Sequence, residues 1–234
     1  MIPKVLVVMP AYNAARFLNE SIPSILNQKG VEVKLIVIDD CSTDDTYRIA
    51  QSYPQVTVMR NSKNMGNYYS VNKAMYEHIG NNTDWDYHNY HGADDVSNPN
   101  RFIKQIKMFE SSPNALAIGC RFQRMEFKTR TIRRTNPKTN ESMLIFKKEI
   151  LDIVGFRDSG RAGCDTEYKQ RILLARPGCI SSIDEVLLTA YLHDDNLTKR
   201  IPIGGTHRRN YVAEFQAKHR KMKIENNFYQ DFKP

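Results

Sequence analysis

Lys4-Val5-Leu6-Val7-Val8-Met9-Pro10-Ala11-Tyr12-Asn13 is an apolar run that breaks at a proline and turns polar. An uninterrupted apolar run of strand length is the pattern of a strand buried on both faces, as in a mainly parallel sheet. The residues that follow, Phe17, Leu18, Ile22, Ile25 and Leu26, recur at helical spacing. The unit then repeats. Val33 to Ile38 reads as a second buried strand that ends in Asp39-Asp40-Cys41-Ser42-Thr43-Asp44-Asp45, whose acids and hydroxyls cap a helix from Thr46 to Tyr53. Val56 to Met59 is a third strand, and the polar loop Arg60 to Asn67, with Asn64 and Gly66 in it, opens a helix reaching about His78. Tyr87-His88-Asn89-Tyr90 is a fourth strand, followed by His91-Gly92-Ala93-Asp94-Asp95 and a helix from Phe102 to Phe109. Alternating strand and helix signals are the signature of βαβ units, and open sheets of that kind bind ligands at the carboxyl ends of their strands. Every polar cluster named above falls at that edge.

The second half changes character. Ala115 to Cys120 reads as a buried strand, and Arg121 to Lys138, with seven Lys or Arg and one Glu, as a hairpin or mobile loop. Ser142 to Phe146 is apolar enough for a strand, and Lys147 to Val154 forms a short helix closed by Gly155. Gly163-Cys164-Asp165-Thr166-Glu167-Tyr168 leads into a helix from Lys169 to Ala175. Ile183 to Tyr191 is the last strand, ending at His193-Asp194-Asp195-Asn196. From Thr206 onward Tyr211, Val212, Phe215 and Met222 alternate with Arg208, Arg209, Lys218, Arg220, Lys221 and Lys223, so an amphipathic helix packed on the core with a solvated basic face is expected. The division that follows is 1–205 for the main domain and 206–234 for a basic tail.

Composition narrows the function classes. A chain of 234 residues with 41% hydrophobic residues has room for one substantial core. No apolar run approaches membrane-spanning length, and Met1-Ile2-Pro3-Lys4 passes straight into a strand without a secretion signal. A cytoplasmic location, peripheral at the membrane if the basic tail touches lipid, is the expectation. The four cysteines, Cys41, Cys120, Cys164 and Cys179, have no C-x-x-C spacing and read as reduced thiols, not a zinc site. The formal charge of +8 favours anionic partners.

The chemistry lies in the acids. Two adjacent carboxylates where a strand ends supply the hard oxygens that hold Mg2+ or Mn2+ against a diphosphate. An isolated Asp-Asp pair would equally start a turn or cap a helix, but three acid- and hydroxyl-bearing loops on one sheet edge are not three separate turns. A third carboxylate, Asp165, stands apart from the pair, and Glu167 competes with it. If the helix begins at Asp165, the two side chains point about 200° apart, so one of them faces the cleft. His193 at the end of the last strand is a candidate metal ligand, and imidazole tilts the preference toward Mn2+.

Taken in order, these elements resemble family 2 glycosyltransferases of the GT-A fold. The motifs are Pro10-Ala11-Tyr12-Asn13-Ala14, Ile38 to Asp44, Asn64-Met65-Gly66, Gly92-Ala93-Asp94-Asp95, Asp165-Thr166-Glu167 with Arg171, and His193 with Leu197-Thr198. The resemblance spans about residues 3 to 200 and implies an α/β, Rossmann-like three-layer sandwich with a mainly parallel sheet plus a C-terminal helical tail. It implies transfer of a sugar, with inversion, from a UDP-, GDP- or dTDP-type nucleoside diphosphate to an acceptor hydroxyl on a glycan or lipid-linked sugar. Carried over by residue, it implies nucleotide contacts from Pro10, Ala11, Tyr12, Asp39, Asp40, Asn64, Gly66 and Asp94. It further implies metal contact from Asp95 and His193, and a general base at Asp165, with Glu167 near the acceptor. The sequence departs from the pattern at Gly92, where many relatives carry a further acid, and at Cys41, where a Gly is usual. Two other readings stay open. One is an acceptor on a modified base in nucleic acid, engaged through the basic segments 121–138 and 208–223. The other is a nucleotide-binding scaffold of the same fold without the chemistry.

Overall fold

The computed structural model of the protein describes residues 1–81, 84–136, 143–202 and 205–234. Four parallel strands open the chain: β1 (Lys4–Ala11), β2 (Glu32–Asp39), β3 (Val56–Arg60) and β4 (Tyr87–Tyr90). Between them run the helices α1 (Ala15–Leu26), α2 (Thr46–Gln51) and α3 (Asn67–Asn81). The remaining elements are β5 (Asp95–Ser97), α4 (Arg101–Ser111), β6 (Ala117–Glu126), β7 (Ile132–Asn136), β8 (Ile145–Lys147), α5 (Ile150–Val154), α6 (Cys164–Ala175), β9 (Ile180–Leu192), α7 (Leu197–Arg200) and α8 (Thr206–Glu225).

All the strands belong to one sheet in the order β3-β2-β1-β4-β8-β6-β9-β5, with β7 on β6. It is parallel from β3 to β4 and turns mixed beyond, because β8 runs antiparallel to both β4 and β6. The chain moves outward from β1 through β2 to β3 and then returns to place β4 on β1's other side. That reversal opens a crevice at the strand carboxyl ends, the usual ligand position in such sheets. Strand β6 pairs with β9 along most of its length, but the register shifts at Cys120, Arg121 and Phe122. Such irregularities increase local bend and twist. Beyond them β5, β9, β6 and β7 form a second, smaller section beside the crevice.

Both faces of the sheet are covered, as the apolar runs of β1 and β2 require. On one face Phe17, Leu18, Ile22 and Ile25 of α1 and Phe102, Ile106 and Phe109 of α4 pack on Val5, Val7, Met9, Leu35 and Val37. On the other, Val71, Ala74 and Met75 of α3 pack on Leu6, Val8, Ile36 and Ile38, together with Phe156 and Phe232. A further cluster joins α5 and α6 through Ile150, Val154, Tyr168 and Ile172.

The structure departs from the sequence reading at several points. Asp95 to Ser97 forms a strand where a loop is expected. Helix α6 begins at Cys164, not Lys169. Other expectations hold: of the hairpin and loop readings of the basic stretch after Arg121 the β6–β7 hairpin is the one formed, with Lys138 and Ser142 outside the described residues. The helix after residue 205 packs on the core, where Phe215 and His219 of α8 are buried, Gly155 bridges Gln230 and Phe232 joins the α3-side cluster. Among the described residues no helix is long and apolar enough to cross a membrane.

Candidate active site

The first wall of the crevice is made by the loops after β1, β2 and β3. Pro10 and Ala11 are buried at the end of β1, whereas Tyr12 projects from the surface. Asn13, with φ +49, ties this loop to the next: its backbone N–H donates to Ser42 Oγ at 2.9 Å, and its Oδ1 accepts from the Thr43 N–H at 2.9 Å. Asp39 is fully buried, accepting from the Ser42 N–H and pairing with Arg60 Nε at 3.0 Å. Asp40 is also buried and accepts from Asn61 Nδ2 at 2.8 Å, the Met65 N–H at 2.8 Å and the Gly66 N–H at 2.7 Å. Through those donors Asp40 fixes the Asn61–Gly66 loop from beneath. Asn64 sits on that loop with Arg161 against it, and the Asn64 carbonyl accepts from Arg161 Nη2 at 2.9 Å. Gly66 has φ +96, and a Cβ there would meet the Arg161 side chain at 3.3 Å. Cys41, with φ +64, adopts the left-handed conformation that a Gly would hold with less strain.

The second wall follows β4. His91 is fully buried, its Nε2 lying 3.1 Å from the Asp95 carbonyl and its Nδ1 3.5 Å from Arg101 Nη1. An arginine only donates, so Nδ1 carries the lone pair and Nε2–H donates to the carbonyl. Burial, with Arg101 beside it, holds the His91 pKa down to about 3, so the ring stays neutral and serves to brace the turn. The two aspartates converge over Gly92. A Cβ at Gly92 would lie 2.8 Å from Asp95 Oδ2 and 3.1 Å from Asp94 Oδ1. Asp94 is about a third exposed and Asp95 is buried. Burial and the neighbouring Asp94 push the Asp95 pKa up, while Arg124 and Arg101 pull it back.

His193 reaches this pair from the end of β9. Its Nε2 is 3.0 Å from Asp94 Oδ2, and its Nδ1 is 3.2 Å from Arg16 Nη2, which is itself bonded to Asp195 at 2.7 Å. Asn196 Nδ2 donates to the same Asp94 oxygen at 3.2 Å and lies 2.9 Å from His193 Nε2. Both ring nitrogens thus have partners, Nδ1 in Arg16 and Nε2 in Asp94 and Asn196, and His193 braces Asp94. Among the described residues no group of three or more His, Cys, Asp or Glu forms a metal cage. Two carboxylate oxygens meeting over a glycine nonetheless suit a hard divalent ion whose other ligands come from water and a diphosphate.

The third element is the first turn of α6. Its Ncap residue, Gly163, has φ +91 and lies against Tyr211 of α8, since a Cβ would be 3.1 Å from that ring. Asp165 is half-buried and accepts from Tyr68 Oη at 3.1 Å. Tyr68 lies near Tyr90, the last residue of β4, with ring centroids 6.4 Å apart, so Asp165 is held beside the strand that leads to the paired aspartates. Glu167 points the other way. It is fully buried, pairs with Arg171 Nε at 2.7 Å and accepts from His219 Nε2 at 2.9 Å. Its expected place near the acceptor is thus not where the structure puts it: the carboxylate is enclosed by Arg171 of α6 and His219 of α8. Arg171 continues inward to the carbonyls of Val154 and Phe156, and is a staple between helices.

Sequence reasoning did not single out Tyr68, Arg16 or His219. His219 was the most accessible to it, because its spacing from Phe215 places both on one face of a helix. Tyr68 and Arg16 meet their partners across 97 and 177 residues, for which the sequence carries no local signal.

The fold and site define an α/β chain whose crevice at the strand carboxyl ends brings together paired aspartates and a half-buried third carboxylate. The chain belongs to glycosyl transferase family 2, whose model matches residues 6–173. It is 36% identical over 122 residues to EpsE of Bacillus subtilis, which carries a provisional glycosyltransferase name; the match takes in 50% of this chain and 42% of EpsE. Its fold is that of two solved structures. The S. aureus TarS fragment 1-349 in complex with UDP-GlcNAc has a TM-score of 0.66 at 19% identity, covering 82% of this chain and 60% of that one. The mannosyltransferase PcManGT of Pyrobaculum calidifontis, in complex with GDP-Man and Mn2+, has a TM-score of 0.66 at 17% identity, covering 84% of this chain and 59% of that one. The chain spans less than two thirds of each of these proteins.

Proposed function

We propose that this glycosyltransferase moves a sugar, with inversion, from a nucleoside diphosphate to a hydroxyl of a glycan or lipid-linked acceptor and depends on a divalent metal. The observation that carries the reading is the separation of duties among the carboxylates: Asp94 and Asp95 converge over Gly92, while Asp165 stays accessible on a different element. An acceptor hydroxyl is a weak nucleophile, so an inverting displacement requires a carboxylate on the face away from the leaving group to take its proton as the bond forms. Asp165 is that base, with Tyr68 fixing its orientation; Glu167 holds α6 in place. Mn2+ or Mg2+, when bound by Asp95 with Asp94 beside it, supplies the positive charge that neutralises the departing diphosphate. The bound Mn2+ of PcManGT and the nucleotide-sugars of PcManGT and TarS support this assignment. Asp94, steadied by His193 and Asn196, contacts the donor. The base and ribose lie against Tyr12, Asp39 and the Asn64–Gly66 loop, with Pro10 and Ala11 forming the floor.

The test is donor binding and turnover across UDP-, GDP-, dTDP- and CMP-sugars with Mn2+, Mg2+ or chelator. Slow, metal-dependent hydrolysis of one donor is expected, lost in Asp95→Ala; Asp165→Asn should retain donor binding and lose turnover. If no nucleotide-sugar binds with either metal, the protein is a scaffold of this fold and the proposal is wrong.

A further inference from the structure

Strand register aligns four residues across the smaller section of the sheet. Asp95 of β5 is opposite Ala190 of β9, Ala190 is opposite Arg124 of β6, and Arg124 is opposite Arg134 of β7. Residues directly opposite share a face, so the row runs from the aspartate pair outward over a methyl group to two arginines. Adjacent strands lie about 4.8 Å apart, which places Arg124 roughly 10 Å from Asp95 at the backbone, within reach of a long side chain across Ala190.

Two like charges directly opposite on antiparallel strands are destabilising, and the hairpin does not relieve this pair. Arg121 is paired with Asp184, Arg130 with Glu20 and Arg133 with Glu126. Among the described residues neither Arg124 nor Arg134 has an ion pair, and Arg124 Nε is buried without a hydrogen-bond partner. Its guanidinium lies over the Phe122 ring at 5.4 Å, which holds it flat on the sheet. A guanidinium with an unfilled buried N–H beside a second guanidinium fits an oxyanion with several acceptor oxygens. The strands that carry the row, β5, β9, β6 and β7, stand at the other end of the sheet order from β1 to β3.

We propose that Arg124 and Arg134 bind a phosphate or diphosphate carried by the acceptor, so that the acceptor is a sugar esterified to phosphate. This rests on the donor assignment above, in which the nucleotide lies at the β1 to β3 loops and its diphosphate at Asp95. A phosphate between the two arginines lies in the smaller section of the sheet, apart from the β1 to β3 loops that take the nucleotide. It would hold the acceptor sugar across the cleft from the donor.

The experiment is calorimetric titration of inorganic pyrophosphate and of glucose 1-phosphate into protein saturated with the nucleoside diphosphate that the donor panel selects, at physiological ionic strength. The proteins are wild type, Arg124→Ala, Arg134→Ala and the exposed control Lys128→Ala. Saturable pyrophosphate binding with the nucleotide in place is expected, weakened about tenfold or more in each arginine variant and unchanged in Lys128→Ala, with nucleotide affinity retained throughout. Flotation with phosphatidylcholine vesicles, plain or containing farnesyl diphosphate, then separates the sources. Arginine-dependent capture by the doped vesicles alone assigns a lipid carrier, and pyrophosphate binding without capture assigns a soluble sugar phosphate. Absence of a saturable second site, or equal loss in Lys128→Ala, overturns the proposal. Loss of nucleotide binding in Arg124→Ala also overturns it, because Arg124 would then belong to the donor diphosphate. If no nucleotide binds to the wild type, it is the donor assignment that has failed.

Discussion

Replacing Glu167 with Ala removes one carboxylate from a site where an arginine and a histidine depend on it. Glu167 and Arg171 are both fully buried and 2.7 Å apart, and His219 completes the cluster from α8. Breaking a buried pair from one side costs roughly 3–5 kcal/mol, because the remaining charge stays uncompensated. Arg171 keeps the carbonyls of Val154 and Phe156, which places the expected loss at the lower end, about 3 kcal/mol. For a chain of this size each kcal/mol lowers Tm by about 2–4 °C, so a fall of about 6–12 °C is expected. Burial by itself raises the Glu167 pKa, but the hydrogen bonds from His219 and Arg171 outweigh it and the net shift is downward. A carboxylate whose folded pKa is depressed contributes stability above its unfolded pKa and loses it as pH falls through the folded value. The gap in Tm between wild type and Glu167→Ala is therefore full at neutral pH and closes on acidification below about pH 4. Thermal unfolding followed by circular dichroism across that pH range measures both effects. An unchanged Tm at neutral pH, accompanied by lost sugar transfer, would show that Glu167 acts on substrate and that the buried cluster has been misread.

Three more variants test other parts of the site. Asp40→Ala leaves Asn61 Nδ2 and the Met65 and Gly66 N–H groups without their acceptor; at roughly 1–3 kcal/mol per buried orphan, urea unfolding should show a loss of about 3 kcal/mol or more, with weaker nucleotide binding as the loop loosens. Gly92→Ala drives a methyl to 2.8 Å from Asp95 Oδ2, so Mn2+-supported nucleotide binding should fall about tenfold, equivalent to about 1.4 kcal/mol, while thermal unfolding shows a folded protein. Phe232→Ala empties a position surrounded by Tyr69, Tyr76 and Phe156 at ring distances of 5.3, 6.0 and 5.8 Å; the cost of about 3–5 kcal/mol usual for a buried Phe should appear in chemical denaturation.

The parallel half of the fold was legible because β1 and β2 are buried on both faces and read as unbroken apolar runs, each ending in a polar loop. Their positions, and that of Tyr87–Tyr90, agree with the sequence to within a residue or two at the ends. The three residues of β5 were not legible, since a strand that short has no periodicity and exists through its pairing with β9. The stretch after Cys120 was legible as a hairpin or a loop, and its charge left the two undecided, because Arg121, Arg124 and Arg134 suit a solvated loop until register puts them on paired strands. Geometry at α6 followed from helix periodicity alone: Asp165 and Glu167 had to diverge, and they do. Which one faces inward was not encoded locally, because it depends on His219, 52 residues further along the chain. The same holds for Asp40, whose partners come from the loop after a different strand.

Phe232 shares a hydrophobic cluster with Leu6 and Val8 of β1 and with Ile36 and Ile38 of β2. The first two strands of the sheet and a residue far along the sequence thus complete one core, and the closure entropy of so long a loop is met before the contact rewards it. The parallel strands can pair early, yet their α3-side face stays open until the segment around Phe232 docks. Refolding from denaturant should therefore pass through a species with a formed sheet and exposed apolar surface. In that interval self-association competes with the docking of that distant segment.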